Sequence, residues 1–74
     1  MASGYQELQL VIATNTRSLR EAKGISQEAL ALEAEVDRTY VSQIERGIAN
    51  PSLRVLYQIS LVLGVSVSDL IALG

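Results

Sequence analysis

Arg38, Thr39, Ser42, Gln43 and Arg46 fall within one short run and carry hydrogen-bonding groups that suit base edges and phosphates. If that run is helical, Tyr40, Val41 and Ile44 share one side and the five polar residues turn elsewhere. Arg38 could then pair bidentately with guanine O6 and N7, Thr39 could touch a thymine methyl, and Gln43 could bond adenine. A solvated helix face carries the same residue types, so this pattern alone leaves both readings open. Other chemistry has less to work with. The chain has no His and no Cys, so the usual metal ligands, thiol nucleophiles and neutral-pH bases are absent. Glu33, Glu35 and Asp37 alternate across a helix end and a turn without a neighbour of complementary role, and read as solvated charge plus a cap. Glycine patterns that cradle phosphates are missing. Neither an enzyme nor a cofactor nor a bound metal is expected.

The elements that must position this run are all helical. Leu8, Val11, Ile12, Leu19 and Ala22 recur at helical spacing from Tyr5 to Ala22, and Gly24 stops the stripe. Ser26 is placed to cap a short second helix over about Gln27 to Glu33, with Glu28 at its positive end. Asp37 caps a third, from Arg38 to Arg46, and Gly47 ends it. After a loop from Ile48 to Pro51, Ser52 caps a fourth helix whose residues Leu53, Leu56, Ile59 and Leu63 keep the stripe as far as Gly64. Ser66 and Asp69 resemble a capping box that opens a last helix containing Leu70, Ile71 and Leu73. The expected fold is all-α and compact, with five helices and no strand.

Seventy-four residues suffice for one domain, 1–74, with no room for a second that senses a ligand. The N-terminus lacks a secretory pattern, and no apolar run approaches the roughly 20 residues a bilayer span requires. A cytoplasmic protein is expected. A formal charge of -2 and a pI near 4.9 weigh against a nucleic-acid partner. Placement counts for more than the sum, however. Between Asp37 and Arg54 there are three Arg against one Asp and one Glu, so the polar run is locally positive.

Five short runs stand out along the chain: Leu19-Arg20, Gly24-Ile25-Ser26-Gln27, Ile44-Glu45-Arg46-Gly47, Pro51-Ser52-Leu53 and Leu63-Gly64-Val65. Through them the chain resembles, from Arg17 to Ile71, the phage-repressor and Cro-like helix-turn-helix family. Within that family, "DRTYVSQIERG" and the short length look like the controller proteins of restriction-modification systems. The resemblance implies a compact five-helix, lambda-repressor-like domain with its helix-turn-helix at about 27–46. It implies a regulator of transcription that binds a palindromic operator in double-stranded DNA as a homodimer, with RNA polymerase a further candidate partner. Carried onto this sequence, it implies base contacts from Arg38, Thr39, Ser42 and Gln43 and backbone contacts from Gln27, Tyr40 and Arg46. It also matches Arg20 and Glu45 to a partly buried structural salt bridge, with a DNA contact by Arg20 as the competing reading. Many members carry extra Lys or Arg in the loop corresponding to Gly47–Asn50, where this chain has none, so fewer phosphate contacts are expected. A helix-turn-helix antitoxin, whose main partner is a toxin, is the alternative in another class.

The C-terminal segment, about 65–74, has two readings of its own. Val65, Val67, Leu70, Ile71 and Leu73 could close the monomer's core, yet they exceed what one short terminal helix needs to bury. The surplus favours a dimer interface built from these five residues.

Overall fold

Four helices begin where a small polar side chain accepts a hydrogen bond from the free amides of a new turn. The side chains are those of Ser26, Asp37, Ser52 and Ser66, and they accept from the amides of Ala29, Thr39, Val55 and Asp69. At Ser66 the box is complete, because the Asp69 carboxylate accepts in turn from the Ser66 amide at 2.9 Å. The bond from the Ser66 amide, with a lesser contribution from the Ser66 hydroxyl, holds the Asp69 carboxyl below its ordinary titration range. The computed structural model describes residues 4–73. Its helices are α1 (Gly4–Lys23), α2 (Gln27–Ala34), α3 (Arg38–Glu45), α4 (Leu53–Leu63) and α5 (Val67–Ile71). The outer ends of the expected 1–74 domain and 65–74 segment, residues 1–3 and 74, lie outside the described residues.

The helix ends follow two chemistries. Gly64 ends α4 in the left-handed region at φ 71°, where a side chain would be strained. Glu35 ends α2 in the same region at φ 60° although it is not glycine. This costs on the order of 1 kcal/mol. Closure of the turn offsets that cost: the Val36 amide donates to Ala31 O at 2.9 Å, and the Val36 side chain packs on the core.

α1 packs against α3, α4 and α5, while α2 packs against α3 and α4. Where they meet, Leu30, Val41, Ile44, Ile59 and Leu70 are fully buried. Each such side chain contributes about 1.5–3 kcal/mol by leaving water. Val41 and Ile44 are the inward side of α3, so the core fixes which way its polar residues point. Among the described residues there is no strand, and no helix is long and apolar enough to cross a membrane.

Three expectations need correction. Leu8 and Ala22 do not join the buried stripe of α1, which runs instead through Ile12, Ala13 and Thr16. The small side chains of Ala13 and Thr16 admit the neighbouring helices, whereas Leu8 reaches past the core to line a shallow groove with Val11, Ile71 and Leu73. Leu70, expected at the dimer interface, belongs to the core of the single chain. It is 0% exposed because capping at Ser66 turns it inward, into the cluster of Ile12, Ile59 and Leu63. Val65 and Val67 are likewise partly buried against that cluster, while Ile71 and Leu73 stand exposed. Finally, Leu73 lies beyond the last helix. α5 stops at Ile71 because Asn15 Nδ2, from α1, donates to Leu70 O at 2.9 Å and Ala72 O at 2.8 Å, with a longer bond to Asp69 O at 3.3 Å. A side chain takes the carbonyls that a continuing helix would use.

Candidate nucleic-acid interface

α3 is short, and three restraints set its orientation. Asp37 Oδ1 accepts from the Thr39 amide at 2.7 Å and fixes its start. Val41 and Ile44 anchor its inner side. At its far end Glu45 turns back into the protein and meets Arg20 of α1 in a two-pronged ion pair, Nε to Oε2 at 2.7 Å and Nη2 to Oε1 at 3.0 Å.

That pair gathers four segments at one point. Arg20 Nη1 donates to Ile25 O at 2.8 Å in the turn before α2, and Gln27 Nε2 of α2 donates to Glu45 Oε1 at 3.1 Å. The side chains of Arg20 and Glu45 are only 12% and 3% exposed. The hydrogen bond to Glu45 raises the Arg20 pKa, against the lowering effect of burial, so the guanidinium stays charged. A carboxylate so buried is tolerable only with such donors around it.

With the inner side fixed, Arg38, Thr39 and Gln43 are exposed on α3 and Ser42 is half-buried. The spacing brings these four into one outward array, and Arg46 follows as the exposed residue that caps the helix. Asp37 stands at one edge of the array and Glu45 is neutralised by Arg20, so the exposed charges of α3 are those of Arg38 and Arg46. Gln27 is half-buried at the first position of α2. Its Nε2 already serves Glu45, which leaves the second hydrogen of that amide and the backbone N–H of a helix N-terminus for any anion. Tyr40 is half-buried, and its hydroxyl donates to Asn50 O at 3.3 Å, a long bond that a phosphate would have to replace.

Residues that sequence reasoning did not single out complete the surroundings. Tyr5 and Gln9 of α1 reach the loop after α3 at Ala49 and Asn50. The only sequence signal was their four-residue separation, which puts them on one line of α1. No group of His, Cys, Asp or Glu that could hold a metal occurs among the described residues.

Comparison with known proteins identifies the fold family. The family model described as Helix-turn-helix matches residues 17–70. The control protein C.BamHI of Bacillus amyloliquefaciens is 43% identical over 65 residues, which cover 86% of this chain and 80% of that protein. The crystal structure of a hypothetical transcription factor from Neisseria superposes with a TM-score of 0.87 at 39% identity, covering 97% of this chain and 83% of that one. The restriction-modification controller protein C.AhdI of Aeromonas hydrophila superposes with a TM-score of 0.81 at 37% identity, covering 84% and 94%.

Proposed function

The chain belongs to the helix-turn-helix family, and from that premise we propose that it is a sequence-specific DNA-binding regulator of transcription, acting as a homodimer on a palindromic operator. The observation that carries this reading is the outward array of Arg38, Thr39, Ser42 and Gln43 on a short helix whose inner side is locked by Val41, Ile44 and the Arg20–Glu45 pair. In that geometry α2 crosses the phosphates and α3 enters the major groove, where side chains near its N-terminus meet base edges. Gln27, Tyr40 and Arg46 flank them on the backbone side. A helix locked in this way supports that reading, because base readout needs donors and acceptors held in fixed positions.

Likeness to C.BamHI and C.AhdI supports a narrower role, control of a restriction-modification gene set and of the protein's own promoter. Occupancy of the operator would then set how RNA polymerase uses that promoter, in the cytoplasm. The dimer is supported by the apolar strip of Leu8, Val11, Ile71 and Leu73, which line one groove, with Val11 half-buried and the other three exposed among the described residues. Two copies of α3 related by a two-fold axis would stand about 34 Å apart and read half-sites one helical turn distant.

Selection of bound sequences from a random DNA pool tests the reading. The parent should recover an inverted repeat with that spacing. Arg38→Ala should lose about 1–3 kcal/mol and relax preference at one position of each half-site. Gln27→Ala should weaken binding to all sequences about equally, since a phosphate contact carries no sequence information. Failure of the parent to enrich any inverted repeat, at low salt and at concentrations where it is dimeric, would overturn the proposal and favour a protein partner.

A further inference from the structure

The loop after α3 is held from both sides, on one of them by α1 side chains that the proposed function does not use. Gln9 Nε2 of α1 donates to Ala49 O at 2.8 Å and to Asn50 Oδ1 at 3.1 Å. The Tyr5 hydroxyl, one turn earlier, donates to the same Asn50 oxygen. Tyr40 closes the other side through its bond to Asn50 O. Beneath them Gly47 turns at φ 75°, and a Cβ there would lie 3.0 Å from Leu10 Cδ2 and 3.8 Å from Ala13 Cβ, so α1 is the floor on which the loop rests. Tyr5, Gln9 and Leu10 all precede residue 17, where the match to the family model begins.

We propose that the first turns of α1 act as a brace, with Tyr5 and Gln9 as positioning residues that hold the Gly47–Asn50 loop, and with it Tyr40 and Arg46, in the shape that meets the DNA backbone. This inference rests on the DNA-binding reading. An exposed loop that orders only on binding subtracts its ordering entropy from affinity, and a loop ordered beforehand does not. Gln9 satisfies the carbonyl of Ala49, a residue only 8% exposed, and so ties the loop to α1. Two donors also take the oxygen of Asn50, so its amide cannot turn over without losing both and its N–H end stays fixed as a donor. The loop carries no Lys or Arg, so order has to do there what extra charge would do elsewhere.

Gln9→Ala and Tyr5→Phe test the brace in the full chain, with two readouts. Amide hydrogen exchange in the free protein should quicken by about tenfold at Ile48, Ala49 and Asn50 in Gln9→Ala, with the amides of α3 unchanged. Affinity for the sequence selected by the parent should fall by about three- to tenfold in each variant at a temperature where all are folded, with the same base preferences as the parent. Tyr5→Phe removes one exposed hydroxyl and keeps the test available if Gln9→Ala does not fold. Unchanged loop exchange in folded Gln9→Ala would overturn the brace. Faster exchange with unaltered affinity would overturn its role in binding. A parent that binds no DNA would overturn the functional reading, and the exchange measurement would then decide the brace by itself.

Discussion

Glu45 is a carboxylate with almost no access to water, so its tolerance by the fold depends on what stands opposite it. Arg20 matches it in shape as well as charge, since a planar guanidinium gives two parallel donors where an ammonium gives a point charge. Glu45→Ala would leave the Arg20 guanidinium in the same enclosure with only Ile25 O to accept from it, and should cost about 3–5 kcal/mol. The measurement is a double-mutant cycle in denaturant. Arg20→Met and Glu45→Ala together should destabilise far less than the sum of the two, and additive costs would show that the residues do not act as a pair. The surface pair Arg17–Glu21, at 3.4 Å with both side chains more than half exposed, should by contrast be replaceable with little effect.

At the scale of elements, the starts of α2 to α5 were legible because an N-cap is local: the side chain and the amides it serves lie within three residues. The outward face of α3 was legible for a related reason, since Val41 and Ile44 define an inside over a single turn. What was hidden depends on distant partners. Nothing near Ile71 announces the end of α5, because the group that ends it is Asn15, more than fifty residues upstream. Tyr5, Gln9 and Asn50 were hidden in the same way, their bonds spanning some forty residues. Leu70 and Ile71 are neighbours of the same apolar type, and only packing tells that one is core and the other surface. They should therefore respond differently to substitution. Leu70→Ala should cost about 2–5 kcal/mol in stability. Ile71→Asp should alter stability by no more than about 0.5 kcal/mol, yet abolish self-association in sedimentation. If the parent sediments as a monomer at high micromolar concentration, the strip formed by Leu8, Val11, Ile71 and Leu73 is not a dimer interface.

Taken whole, the molecule is acidic and carries its proposed DNA-facing charge on few residues, Arg38 and Arg46. A dimer would thus neutralise at most about four phosphates, and the logarithm of affinity should fall with the logarithm of salt at a slope no steeper than about −4. Fluorescence anisotropy across a salt series measures this, and a slope near −10 would show that other basic residues share the contact. Affinity of this modest electrostatic kind makes α1 more consequential. Its first turns face two ways: Tyr5 and Gln9 hold the loop beyond α3, while Leu8 and Val11 border the apolar groove beside Ile71 and Leu73. If one side meets DNA and the other a second copy, whatever factor pairing adds to operator affinity, the operator must add to pairing. Occupancy would then climb with the square of concentration while single copies predominate and the operator is mostly free. The gene's response would be a threshold instead of a gradient, and two turns of one helix would set the copy number at which it is crossed.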